Sequence, residues 1–207
     1  MLGEVSALWV RINDSKRSRT TGIRNQYSKS DKTHSMAIAQ RLHHTAYVTK
    51  DQEATRAFYE DVLGCPLIAT WSEADELFGA ERVYCHTFFG LADGSALAFF
   101  QFANKVDQDQ FDPDLTPSPF RHIALKVDAE AQADLERRLE FANWKETFVL
   151  EHGYCRSLYA TDPNGMLVEF TVDAPAAESL NAARRLDAHD TLKRWLAGDH
   201  TSNNNYR

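Results

Sequence analysis

Asp162-Pro163-Asn164-Gly165-Met166-Leu167-Val168-Glu169-Phe170 is a turn running into a strand, and its reading decides the fold. Asp, Pro, Asn and Gly together are turn chemistry. The apolar, partly β-branched run from Met166 to Val172 is strand chemistry. An earlier stretch, Gly94-Ser95-Ala96-Leu97-Ala98-Phe99, lies over Gly165 to Phe170 without a gap and also follows a turn signal, Asp93-Gly94. Two strands of one design, far apart in one chain, point to an internal repeat.

Working outward, each copy gains the same neighbours. Strand-like stretches precede the first copy at Leu67 to Trp71 and Val83 to Gly90, with the copy itself at Ser95 to Phe102. Thr147 to Leu150 and Ser157 to Ala160 precede the second. Further upstream, Arg41-Leu42-His43-His44-Thr45-Ala46-Tyr47-Val48 reads as a strand, and Asp51 caps a helix with Ala54, Ala57, Phe58 and Val62 on one face. Gly64 and Pro66 stop it. Arg121-His122-Ile123-Ala124-Leu125-Lys126-Val127 and a helix opened by Asp128, with Ala131, Leu135, Leu139 and Ala142 on one face, repeat that order. The fold class expected is therefore α+β: two βαβββ modules, residues 41–106 and 119–173, within a domain spanning 37–173. The Asp-, Gln- and Pro-rich stretch 107–119 reads as a linker. Residues 174–207 read as a C-terminal helix stopped at Gly198 and a polar tail.

The remaining composition narrows the function classes. The chain has 207 residues, 43% hydrophobic and 26% charged, as a soluble globular domain does. No run approaches the roughly 20 apolar residues that span a bilayer. The net charge of −7 speaks against a nucleic-acid binder. Three scattered cysteines, Cys65, Cys85 and Cys155, make neither a disulfide framework nor a zinc site, so a reducing, cytoplasmic location is expected. Residues 1–35 carry a balance of +4 against −11 for the rest, with no apolar core of a secretory signal. Residues 1–36 are expected to be a disordered extension, with Met36 an alternative start.

Aligning the modules also aligns chemistry. His44 lies over His122, and Ala98 over Glu169. Modules related by a pseudo-two-fold axis are expected to bring such positions together, and His44, His122 and Glu169 then form a 2-His-1-carboxylate metal set. That set suits Fe(II) or Mn(II) with positions left open, and the same donors hold Zn(II) with a water. Gln101 lies near the missing fourth donor, but its odd offset from Ala98 puts it on the other strand face. His43 alternates away from His44 and reads as structural or solvent-exposed. His86 and Tyr84 share a face of their strand and are candidates to line a pocket, as Phe99 or Phe100 is for an aromatic wall. His34, His189 and His200 lie in tails and bind nothing specific.

Paired βαβββ modules with donors on their first and last strands resemble the vicinal oxygen chelate superfamily, which includes glyoxalase I, bleomycin and fosfomycin resistance proteins and extradiol ring-cleavage dioxygenases. His44-Thr-Ala-Tyr-Val, Phe58-Tyr59-Glu-Asp-Val-Leu63-Gly64, His122-Ile-Ala-Leu and Asp162-Pro163-Asn-Gly165-Met-Leu-Val-Glu169 carry the resemblance, across residues 41 to about 173. The run from His152 through Leu158-Tyr159 and Asp162-Pro163-Asn-Gly165 to Glu169 is similar to the extradiol signature, with Leu150 departing from its usual small or β-branched residue. The resemblance implies an Fe(II) enzyme cleaving a small catechol-like aromatic with O2. In it His152 serves as acid/base, and Tyr159 hydrogen-bonds the substrate oxygen. Mn(II), Zn(II) or Ni(II) are the other metals it admits, and a homodimer is common among its members. A glyoxalase-like isomerase or lyase, for which Ala98 leaves the ligand set one short, and a metal-free binding protein are the other activities it implies.

Overall fold

The computed structural model describes residues 39–112 and 118–206, so the extension expected over residues 1–36 lies outside the described residues. From Arg41 onward the chain forms one compact unit. Its first module runs β1 (His44–Val48), α1 (Gln52–Arg56, continued in π geometry over Ala57–Val62), β2 (Leu67–Leu77), β3 (Ala80–Gly90) and β4 (Ala96–Phe102). After α2 (Lys105–Phe111) the second runs β5 (His122–Lys126), α3 (Ala129–Phe141), β6 (Thr147–Glu151), β7 (Cys155–Thr161) and β8 (Leu167–Asp173), followed by α4 (Ala177–Leu196). The sheets are ordered β1-β4-β3-β2 and β5-β8-β7-β6. This is the paired βαβββ architecture expected from the repeat.

Local chemistry is duplicated with the topology. The Asp51 carboxylate accepts from Ala54 N at 2.9 Å and Asp128 from Ala131 N at 2.8 Å, closing an unsatisfied first-turn donor on α1 and α3 alike. In each module a glutamine amide reaches from the helix to the last strand. Gln52 donates to Phe99 O at 3.2 Å, and Gln132 to Phe170 O at 2.7 Å. The strand register confirms the alignment: β1 runs parallel to β4 with Ala46 opposite Ala98, and β5 parallel to β8 with Ala124 opposite Glu169.

The modules meet through their helices. Phe58, Tyr59, Leu63, Phe89, Leu97 and Phe99 of the first share one core with Leu135, Leu139, Leu158, Val168 and Phe170 of the second. Phe58 packs on Trp144 with ring centres 4.8 Å apart. The π geometry of the second part of α1 lets the consecutive residues Phe58 and Tyr59 both face this core.

Two expectations need correcting. The stretch read as a linker, 107–119, holds most of α2, whose Asp107 is buried in an ion pair with Arg82 and whose Phe111 stacks on Phe102. Its polar composition hid a helix held by two strong contacts. The strand expected at Leu67 to Trp71 runs on to Leu77 and turns back through Phe78 and Gly79, both at positive φ. The acidic Glu73, Asp75 and Glu76 masked it, because this end of the hairpin is exposed and needs no apolar alternation.

Gly198, at φ +90°, stops α4 as expected. The tail beyond it is then redirected: Arg194 donates to Asp199 at 3.1 Å and to Thr201 O at 2.9 Å. It reaches the loop before β7, where Asn204 donates to His152 O at 3.4 Å and the Tyr206 carbonyl fills the place a Gly153 side chain would take.

Candidate metal centre

Each sheet has one face on the shared core and one open face. On β8 the odd-numbered positions look out. Glu169 therefore lies on the open face of the second sheet, diagonal to His122 on β5. His122 Nε2 and Glu169 Oε2 are 2.9 Å apart, the carboxylate nearly buried at 8% side-chain exposure and the imidazole at 31%. His122 Nδ1 lies 3.0 Å from Pro119 O. A carbonyl can only accept, so Nδ1 donates to it, and the 2.9 Å contact of Nε2 with the Glu169 carboxylate needs a proton between two acceptors, the place a metal ion would take. An imidazole fixed through its other nitrogen, beside a carboxylate, is the preparation a divalent metal ligand needs.

Tyr159 and His152 complete this cluster. Tyr159 is paired with Glu169 across β7–β8, and His152 Nε2 lies 2.9 Å from the Tyr159 hydroxyl. Phe148 stacks on the Tyr159 ring at 4.6 Å and fixes its plane. Burial, then the neighbouring Glu169, push the phenol up to about 12, so it is a proton donor at neutral pH. Burial alone would raise the Glu169 carboxyl. The hydroxyls of Ser157 and Tyr159, followed by His122, outweigh it and hold Glu169 below its usual range, as an anion.

His44 stands on the other sheet. Its face carries Phe88, 5.5 Å away between ring centres, and His86, 6.3 Å away, with His86 stacked on Phe100 at 3.7 Å. Within one chain the structure brings His122 and Glu169 together, with Tyr159 and His152 beside them, but does not bring His44 to them. Among the described residues no three His, Cys, Asp or Glu side chains are placed to share a metal ion. The helices between the modules are the reason: each sheet turns its back to the common core. Gln101 is turned away from Ala98 and donates to Lys50 O at 2.8 Å, so the position opposite Ala46 has no donor from it. Phe99 belongs to the core, whereas Phe100 is on the open face.

His86 carries more weight than its strand alone suggested. Its Nε2 is buried without a hydrogen-bond partner, beside His44. Burial, and then His44, lower its pKa and keep it neutral. A cavity of about 740 Å3 lies elsewhere, between Tyr47, Lys50, Phe100, Asp162 and Met166, and none of the candidate donors lines it.

The family described as the Glyoxalase/Bleomycin resistance protein/Dioxygenase superfamily matches residues 41–170, and the chain belongs to it. A comparison with curated proteins finds no match. Among solved structures, the glyoxylase/bleomycin resistance protein/dioxygenase domain from Frankia sp. EAN1pec is 15% identical with a TM-score of 0.51, covering 67% of this chain and 95% of that one. The fosfomycin resistance protein FosX from Listeria monocytogenes, in a mutant form holding Mn(II) and 1S,2S-dihydroxypropylphosphonic acid, is 19% identical with a TM-score of 0.49, covering 68% and 98%. FosX from Mesorhizobium loti is 17% identical with a TM-score of 0.46, covering 69% and 99%. These likenesses are of fold. No helix among the described residues is long and apolar enough to cross a membrane.

Proposed function

We propose that this chain is a metal-dependent enzyme for a small molecule with vicinal oxygens, of the Fe(II) extradiol dioxygenase type, using O2 on a catechol-like aromatic. The observation that carries the reading is the hydrogen bond between His152 and Tyr159 directly beside the His122–Glu169 pair. A bound divalent metal would act as a Lewis acid on the two substrate oxygens. His122 and Glu169 would hold it, with His44 as third ligand. The Tyr159 hydroxyl donates to a substrate oxygen and exchanges its proton with His152 Nε2, so a phenolic proton has a path out of the site. Phe148 and Phe88 supply apolar walls that exclude water from a flat ring.

His44 reaches the pair in an assembly of two copies, the open face of one chain's first sheet set against the second sheet of the other. Both faces suit burial: His44 and Trp71 are exposed on one, Phe148 and Leu150 on the other. The same contact would cover His86, whose Nε2 is unpartnered beside His44. A closed two-fold dimer of this kind carries two equivalent sites, each built from both chains.

The first experiment is metal analysis of protein purified without oxygen or chelator, followed by oxygen uptake over a panel of catechols. Near-stoichiometric iron with uptake supports the reading. Zinc or nickel without uptake overturns it in favour of isomerase chemistry, and no metal with none rebinding favours a binding protein. Refolding a His44→Ala chain together with a His122→Ala chain tests the shared site. Each alone is inactive, and the mixture recovers roughly a quarter of wild-type activity, because half the dimers are mixed and carry one intact site.

A further inference from the structure

His43 and His44 point their Nδ1 atoms at one another, 2.8 Å apart, with the rings 5.0 Å between centres and 75° between planes. Two imidazole nitrogens at that distance form a hydrogen bond only if one carries the proton and the other a lone pair. Which of the two does so settles what His44 can bind. If Nδ1 of His44 accepts, its proton sits on Nε2 and that nitrogen cannot ligate. If Nδ1 of His44 donates, Nε2 is bare.

We infer that His43 is the positioning residue for His44: its Nδ1 accepts the His44 Nδ1 proton, fixing the ring plane and leaving Nε2 of His44 for the metal. The second module solves the same problem with a different acceptor, Pro119 O, 3.0 Å from His122 Nδ1. His122 and His44 occupy equivalent positions at the start of β5 and β1, so the two outer contacts are counterparts, one a main-chain carbonyl and the other a side chain. Because His43 precedes the first residue of β1, its ring is free of the strand's alternation and can turn back towards its neighbour. The inference rests on His44 being a ligand, as proposed above. His43 itself touches neither metal nor substrate.

The test uses the full chain and Mn(II) as the probe, with binding followed by loss of the free-ion electron paramagnetic resonance signal. It is joined to long-range nitrogen-15 correlation spectra of the metal-free protein, which distinguish the imidazole tautomers. Wild type is expected to show His44 protonated at Nδ1. His43→Ala is expected to show a mixture of tautomers and to weaken Mn(II) binding about 10–100-fold, the usual effect of removing an outer contact to a metal ligand. His43→Asn, whose Oδ1 can accept in the same place, restores binding to within a few-fold. His43 is exposed and outside the strand, so the variants keep the wild-type circular dichroism spectrum. Wild-type His44 protonated at Nε2, or a His43→Ala chain that binds Mn(II) as tightly as wild type, overturns the inference. His44→Ala separates the two readings. If it leaves binding unchanged, the ligand assignment fails, and the role of His43 with it. If it abolishes binding while His43→Ala has no effect, only the positioning role fails.

Discussion

The Tyr59 hydroxyl donates to Asp162 Oδ2 at 3.0 Å, joining the helix of the first module to the turn that precedes the last strand of the second. Both groups are buried. Asp162 also accepts from the main-chain nitrogens of Asn164 and Met166, at 2.9 and 2.7 Å, so one carboxylate shapes the turn and ties it across the interface.

Tyr59→Phe keeps the ring and leaves Asp162 one donor short. The cost expected for a buried, charge-assisted bond is about 1–3 kcal/mol, read from urea unfolding. Burial, the largest influence, raises the Asp162 carboxyl above its usual range, with the Met166 main chain, Asn164 and Tyr59 pulling it back. A carboxyl raised in the folded state gives stability that is complete below its unfolded pKa and is lost as pH rises through the folded value. Removing Tyr59 raises it further, so the penalty is larger at pH 7 than at pH 4. An equal penalty at both values would show that the carboxyl does not feel the phenol.

Tyr159→Phe removes the hydroxyl that meets His152 and keeps the stacking on Phe148. We expect kcat to fall by about 100-fold or more, with unfolding shifted by less than about 1 kcal/mol. Parallel steady-state kinetics and chemical denaturation check both halves. A large loss of stability with kcat intact would assign Tyr159 to the core.

Glu169→Gln leaves a side chain of the same shape beside His122 but removes the anion. Metal affinity is expected to drop by more than about tenfold while the strand pairing of β8 persists. Isothermal titration with Mn(II) measures the first, and circular dichroism the second.

Gly153→Ala tests the C-terminal tail. The residue sits at φ +82°, and its added carbon would collide with the main-chain carbonyl of Tyr206, which has to move. The strained backbone costs about 1 kcal/mol, and the tail detaches. Limited proteolysis should then cut beyond Gly198 at a rate the wild-type chain does not show.

The repeat was legible because its signals are local: the Asp51 and Asp128 caps, the Gly94 and Gly165 turns, and the apolar strands that follow them all stand at matching places. His44 over His122 and Ala98 over Glu169 emerged from that alignment and agree with the strand register. Packing between modules was not legible. Nothing in either strand says that Phe58 and Tyr59 would both turn into a core shared with Leu139 and Phe170, which sends the two open faces apart and separates His44 from Glu169. The hydrogen bond between His43 and His44 was hidden for a related reason. Strand alternation places neighbours on opposite faces, and His43 escapes that rule only because β1 starts one residue later.

The tail has a practical consequence. Tyr206 lies against the loop that carries His152. A polyhistidine segment inserted in the stretch 199–206 would therefore lie beside the candidate proton carrier, and bring competing imidazoles to a place where iron or manganese is to be counted. Metal stoichiometry from such material would describe the added imidazoles as well as the protein's own site.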